Sequence, residues 1–226
     1  MFLYYITDRS QLSTNHDEAL RLLLERISAA ANAGVDAIQL REKDLSAREL
    51  VELGNRAAEI AHHSLPRSAR GMRTRLLINS RIDVAIACGA DGVHLRSDDV
   101  SASDARVIFA HVGVSAPAIG VSCHTVQEVS LAEAQGADFA VYGPVFGKRG
   151  EKTAATGLTS LRAASRERRA AQHPMPVLAL GGVTVANAVD CLKGGAGGIA
   201  GIRLFQNGNL VETVAQLRKM EEGLHR

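Results

Sequence analysis

The sequence predicts an α/β protein folded as a single (β/α)8 TIM barrel over residues 1–226, and three observations predict it. Short apolar runs rich in β-branched and aromatic residues alternate with longer segments whose apolar residues recur at helical spacing. A second signal is an internal echo: Gly34-Val-Asp-Ala-Ile, Gly89-Ala-Asp-Gly-Val, Gly136-Ala-Asp-Phe-Ala and Gly195-Ala-Gly-Gly-Ile, at intervals of 55, 47 and 59 residues. Each is a helix-ending glycine that feeds a strand, so these units precede strands two, four, six and eight. The third is that polar side chains gather where the apolar runs stop, on the rim where parallel α/β sheets carry their sites. An open doubly wound sheet would place a Gly-rich phosphate turn after its first strand, and residues 4–10 contain no glycine.

The elements follow in order. Residues 2–7 form a strand ending at Asp8, and a helix with Leu20, Leu23, Leu24, Ile27 and Ala30 on one face closes at Gly34. Residues 37–40 are the second strand, ended by Arg41-Glu42-Lys43, after which Ser46 and Glu49 make a capping box for a helix to about Ile60. The basic stretch 66–75 reads as a solvated loop. Residues 76–79 and 92–95 are strands three and four, joined by a short helix, and they stop at Asn79 and shortly before Asp98-Asp99. A helix over 101–111 and a strand over 118–121 follow, then Ser122-Cys123-His124, with Thr125 capping a helix that has Glu128 three residues on. Strand six, 139–142, runs into a long polar loop over 143–157, and a helix over 159–171 carries a basic run best read as its solvated face. Strand seven, 177–180, ends at Gly181-Gly182, a helix runs to Lys193, strand eight spans 198–202, and 210–224 is the closing helix.

Composition narrows the function classes. With 26 basic and 24 acidic side chains, the net charge of +2 gives no long-range field for nucleic acid or an anionic membrane. No apolar run approaches the ~18 residues of a membrane span, and Met1-Phe2-Leu3-Tyr4-Tyr5 lacks a basic leader, so the cytoplasm is the expected location. Cys88, Cys123 and Cys191 are odd in number and lack C-x-x-C spacing, which suggests neither a disulfide framework nor a zinc site. Cys88 and Cys191 read as small helix hydrophobes, and Cys123 lies near the expected site.

In the barrel, one rim collects Asp8, Arg41, Lys43, Asn79, Asp99, Ser122, His124, the loop cations Lys148, Arg149 and Lys152, Gly181-Gly182 and Ile202-Arg203. Cations and glycine turns suit a phosphorylated or diphosphorylated substrate, and a carboxylate there suits Mg2+ held against phosphate oxygens. Each motif alone has a plainer reading. Arg41-Glu42-Lys43 is a common surface triplet, Asp98-Asp99 serve as helix-start caps, His124 is a satisfied helix-start histidine, and Gly181-Gly182 shape a turn. Their convergence on one rim favours the functional reading.

Eight segments, taken in order along nearly the whole chain, resemble the thiamine phosphate synthase and thiazole tautomerase superfamily. They are Tyr5-Ile6-Thr7-Asp8, Gln39-Leu40-Arg41-Glu42-Lys43, Ile78-Asn79-x-Arg81-x-Asp83, Ala90-Asp91-Gly92-Val93-His94-Leu95, Ile119-Gly120-Val121-Ser122-x-His124-Thr125, Gly136-Ala137-Asp138, Tyr142-Gly143-Pro144-Val145-Phe146 and Ala179-Leu180-Gly181-Gly182-Val183. The resemblance implies a transferase of thiamine biosynthesis. A hydroxymethylpyrimidine diphosphate loses diphosphate with Mg2+ assistance, and the pyrimidine cation is captured by the nitrogen of a thiazole phosphate. By position it implies Gln39, Arg41, Lys43 and Asn79 at the pyrimidine diphosphate, Asp99 at the Mg2+, and Ser122 and Lys152 at the departing diphosphate. Gly181, Gly182, Ile202 and Arg203 fall at the thiazole phosphate.

The chain departs from the synthase pattern where Asn79-Ser80 replaces Asn-Asp, removing the usual second metal carboxylate, for which Asp98 is the available substitute. Arg96-Ser97 replaces Gly-Gln, residues 147–152 replace a Thr-rich loop, and Arg203 stands where small and hydroxyl residues are usual. The sister activity, metal-free proton transfer on a thiazole carboxylate phosphate by a His at position 124, tolerates these changes, as does a non-catalytic sensor of thiazole or thiamine phosphates. The expected partners are small phosphorylated pyrimidine and thiazole compounds, with no nucleic acid and no membrane. Nothing in the sequence sets an oligomeric state; a homodimer is compatible with it.

Overall fold

The computed structural model describes residues 1–63, 73–147, 155–166 and 175–224. Eight parallel strands close on themselves in chain order, each hydrogen-bonded to its sequence neighbours and β8 to β1. They are β1 (Phe2–Ile6), β2 (Ala37–Leu40), β3 (Arg75–Asn79), β4 (Gly92–Leu95), β5 (Ala118–Cys123), β6 (Phe139–Tyr142), β7 (Val177–Ala179) and β8 (Gly198–Gly201). Outside them run α1 (His16–Ala33), α2 (Ala47–His63), α3 (Ile82–Ala87), α4 (Ala102–His111), α5 (Val126–Ala134), α6 (Gly157–Arg166), α7 (Val185–Lys193), α8 (Arg203–Gln206) and α9 (Leu210–Leu224). No helix among the described residues is long and apolar enough to cross a membrane.

Period-two alternation in the strands separates two cores. Tyr4, Ile6, Ala37, Leu77, Ala118, Phe139, Val141, Leu178 and Ala200 fill the barrel, while Leu3, Tyr5, Ile38, Ile78, Val93 and Ile119 join the layer beneath the helices. Inside the barrel the rings of Tyr4, His94 and Phe139 pack with centroids 5.0–6.2 Å apart. Gly120 makes that packing possible, because a Cβ there would stand 2.4 Å from the Phe139 ring and 2.8 Å from His94 Nδ1.

The echo has a physical basis. Gly34, Gly89, Gly136 and Gly195 all have positive φ, between 62° and 100°, the backbone that stops a helix and turns it into a strand. The Asp two residues on then caps the start of the preceding strand. Asp36 accepts the Leu3 N–H at 2.7 Å, Asp91 the Leu76 N–H at 2.8 Å and Asp138 the Ile119 N–H at 2.7 Å. An arginine holds each of these carboxylates: Arg218, Arg73 and Arg106 respectively. Position 197 in the fourth repeat is a glycine and offers no such cap. Carboxylates thus satisfy backbone donors at the end of the barrel opposite the site.

Most predicted boundaries fall within a residue or two of those observed. Both directions of the Ser46–Glu49 capping box are present, at 2.8 and 3.3 Å. Strand five runs on through Ser122 to Cys123, so Ser122 is a strand residue and not part of the following turn. Where eight helices are expected, the described residues hold nine, because the four-residue α8 follows β8 directly and no apolar period marks so short a helix. The expected helix over 159–171 begins earlier, at Gly157, and its remainder past Arg166 lies outside the described residues, as do Lys148, Arg149, Lys152 and most of the 66–75 stretch.

Candidate functional site

The site builds upward from the inward-facing residues at the C-terminal ends of the strands. On β2, Gln39 is 2% exposed and its Nε2 donates to Asn79 Oδ1 at 2.8 Å, joining β2 to β3. Its Oε1 is buried and accepts no hydrogen bond among the described residues. Asn79 passes the chain on, donating from Nδ2 to Ser80 Oγ at 3.2 Å. Ser80 has φ +59°, a left-handed backbone that no other non-glycine residue adopts among the described residues, and it turns the chain off β3 towards α3.

Beyond Gln39 the chain leaves β2 through Arg41-Glu42-Lys43. Arg41 is half-buried and Lys43 exposed, whereas Glu42 is buried. Glu42 accepts from the Thr7 hydroxyl at 2.5 Å, from the Arg9 N–H at 3.1 Å and from Arg9 Nη1 at 3.1 Å. Burial pushes the Glu42 carboxyl above its usual range, and the Thr7 and Arg9 bonds oppose that shift. Arg9 also forks onto Asp44 at 2.7 Å through both terminal nitrogens. The middle residue of the triplet therefore anchors the loop that carries the two flanking cations.

His94 and Tyr4 were not selected from the sequence, although the motif around His94 was noted. His94 is 2% exposed in the barrel. Its Nε2 lies 2.9 Å from Ser122 Oγ and its Nδ1 lies 3.1 Å from the Tyr4 hydroxyl, forming a three-residue chain from β1 through β4 to β5. Burial lowers its pKa to about 3, the Asp99 carboxylate opposing this shift and Arg41 adding to it. The ring is neutral at ordinary pH. The signal that could have exposed it is the alternation in β4, which turns His94 to the same side as the inward Gln39 and Asn79 of the neighbouring strands.

Asp99 and Ser122 line the same cleft, of about 120 Å3, between the loops after β4 and β5, together with Arg96, Cys123 and Glu128. The Asp99 side chain is 15% exposed; its Oδ2 accepts the Arg96 N–H at 2.8 Å and its Oδ1 lies 3.5 Å from Arg96 Nε. Asp98, the alternative carboxylate, is 71% exposed and paired outward to Arg96 at 3.0 Å. Among the described residues no group of three His, Cys, Asp or Glu side chains gathers as a metal centre. Of the expected metal donors the cleft holds one carboxylate, Asp99, a set that leaves the other ligand positions to water and phosphate oxygens. A single carboxylate fits a Mg2+ that takes most of its ligands from water and substrate phosphates.

His124 lies just past β5, exposed, with its Nδ1 2.6 Å from the Gly143 carbonyl. A carbonyl only accepts, so Nδ1 carries the proton and Nε2 is the basic nitrogen. Across the mouth, Gly181 and Gly182 have φ +93° and +65° and pack on the loop after β6. A Cβ at Gly181 would meet Pro144 at 2.5 Å and one at Gly182 would meet Phe146 at 2.8 Å, so side chains are excluded there twice over. Ile202 and Arg203 stand at the start of α8, immediately after β8. All three cysteines are buried and unbridged. Lys152 lies outside the described residues.

A closed (β/α)8 barrel with amides, cations, a carboxylate and a glycine turn at the C-terminal ends of its strands has the form of a TIM-barrel enzyme. The comparisons then give the family. The family model described as thiamine monophosphate synthase matches residues 3–205. A putative thiamine-phosphate synthase of Geobacter sulfurreducens is 40% identical over 200 residues, 88% of this chain and 83% of that protein. The thiamine-phosphate synthase of Archaeoglobus fulgidus is 34% identical over 229 residues, 98% and 96% of the two chains. Among solved structures, a thiamine phosphate pyrophosphorylase from Pyrococcus furiosus superposes with a TM-score of 0.75 at 29% identity, covering 99% of this chain and 96% of that one. The chain belongs to the thiamine monophosphate synthase family. It is a transferase of thiamine biosynthesis.

Proposed function

We propose that the barrel mouth joins a hydroxymethylpyrimidine diphosphate to a thiazole phosphate, releasing diphosphate, in the cytoplasm. The observation that carries this reading is the buried Gln39 side chain, whose Nε2 is bonded to Asn79 while its Oε1 has no donor among the described residues, two residues ahead of Arg41 on the chain that leads to Lys43. A buried acceptor without a donor costs roughly 1–3 kcal/mol. Turned into the mouth, that oxygen would accept an aminopyrimidine N–H, with the diphosphate then lying towards the two cations.

The chemistry follows from charge separation. The bond between the pyrimidine methylene carbon and the diphosphate oxygen breaks, the electron pair leaves with diphosphate, and the thiazole nitrogen lone pair forms the new C–N bond. Arg41 and Lys43 stabilise the leaving negative charge, with the Ser122 hydroxyl donating to it, and such preorganised groups lower the barrier most. His94 holds Ser122 while remaining neutral, so no cation sits beneath the developing pyrimidine cation. Gly181-Gly182 and the chain at Ile202-Arg203 take the thiazole phosphate. Asp99 would hold Mg2+, whose chemistry there would be neutralisation of the diphosphate.

A second reading, proton transfer on a thiazole carboxylate phosphate, is supported by the basic Nε2 of His124. Turnover of the purified protein with both synthase substrates, with Mg2+ and with a chelator, separates the readings. Metal-dependent thiamine phosphate formation is expected, with Lys43→Ala lowering kcat/KM by about 10²-fold or more and His124→Ala by less than about tenfold. No thiamine phosphate, together with aromatisation of the thiazole carboxylate that His124→Ala abolishes, would replace the first reading with the second.

A further inference from the structure

Seven large apolar side chains are exposed among the described residues, and six of them fall on α4, its two flanks and α5: Val100, Val107, Ile108, Val112, Val114 and Leu131. The helix α4 is apolar on two sides. Ala102, Ala105 and Phe109 are buried against the barrel, and Val107 and Ile108, 55% and 41% exposed, face away from it. At about 100° per residue, Asp104, Val107, Ile108 and His111 form one outward stripe away from the buried face. A surface helix ordinarily carries one apolar stripe, and a helix with two is covered on both.

We propose that this face is where a second copy of the chain docks, with α4 packed antiparallel on its counterpart about a two-fold axis. The acid and the imidazole on the stripe select that occupant. Asp104 and His111 are both exposed and equally far in sequence from the midpoint between Val107 and Ile108. A two-fold axis through that midpoint sets Asp104 of each copy opposite His111 of the other, and places the Val107-Ile108 pairs on one another. The helix dipole places acid early and base late in α4, and antiparallel pairing brings those unlike ends together. The face is thus complementary to itself, as a two-fold interface requires. Val100 follows Asp99 directly, so the contact also braces the loop that carries the candidate metal carboxylate.

The test is sedimentation of the purified full-length protein over a micromolar concentration series, which reads assembly independently of any activity. A dimer is expected for the wild type. Ile108→Asp should be monomeric with a melting curve close to the wild type's, since it alters an exposed side chain. Asp104→Arg should weaken dimerisation by about tenfold or more, and combining it with His111→Asp should restore it. A wild type monomeric throughout the series, or a dimer indifferent to Ile108→Asp, overturns the interface. Failure of the charge swap to restore association overturns the antiparallel two-fold register.

Discussion

At the scale of single residues, the Tyr4–His94–Ser122 chain decides more than its three side chains suggest. The described structure gives the Tyr4 hydroxyl one partner, His94 Nδ1, so the hydroxyl finds an acceptor when it donates there. That fixes the other proton on Nε2, makes Ser122 Oγ the acceptor, and points the serine proton at a ligand. Tyr4→Phe should therefore exchange the imidazole tautomer, read from the nitrogen chemical shifts of His94, and lower kcat more than it raises KM. The pH dependence has a definite sign. The folded-state pKa of His94, about 3, lies below its ordinary value of 6.5, so between these values the unfolded chain binds a proton that the folded chain does not. Stability is complete above pH ~6.5 and falls as the pH drops towards 3, by at most about 1.4 kcal/mol per pH unit. His94→Asn should flatten this part of the profile, measured by urea unfolding at a series of pH values; an unchanged slope would assign the acid sensitivity elsewhere. Arg41 and Lys43 were legible in the sequence because charge at the end of an apolar run is conspicuous. His94 was hidden because one polar residue within Gly92-Val93-His94-Leu95 reads as strand until its facing residues are known.

Among elements, the βα loops show how function is attached to the barrel. In Arg41-Glu42-Lys43 the two cations are half-buried and exposed, and the acid between them is locked to Thr7 and Arg9 of the preceding unit. Replacing Glu42 by Gln removes the buried partner of Arg9 and should cost about 3 kcal/mol. Because the loop carries Arg41 and Lys43, the same change should raise KM for the pyrimidine diphosphate, measured by steady-state kinetics at a temperature where the variant is fully folded. A KM unchanged from wild type would mean that Glu42 stabilises without positioning. Sequence spacing found the capping box of α2 and the Thr125 cap of α5, since these interactions span three residues, whereas α4 is capped by Ser101 and not by Asp98-Asp99. It missed α8, a four-residue helix held by Gln206, whose side chain donates to the Asp8 carbonyl at 2.6 Å from the far end of the chain.

Over the whole molecule, the decisive event is closure of β8 on β1. Arg218 on α9 clamps the seam from below, donating to the Met1 carbonyl at 2.6 Å, the Gly34 carbonyl at 2.8 Å and Asp36 at 2.7 Å. Arg218→Ala leaves a carboxylate that is 8% exposed without its partner and should cost about 3 kcal/mol, with Arg218→Lys recovering only part. Thermal unfolding measures this loss, and one below about 1 kcal/mol would show that closure is carried by the strand ladder alone. The sequence by itself determined the alternation of strands and helices, the four left-handed glycines and the rim on which the charged residues fall. Those follow from hydrophobic period, backbone sterics and chain direction, which are local. Only the tertiary structure decided that Gln39 shares a bond with Asn79, that His94 is neutral beneath Ser122, and that Asp98 is exposed and paired to Arg96 while Asp99 lines the cleft. Those depend on how neighbouring strands are staggered around the barrel and on burial, and both are set only when the barrel closes.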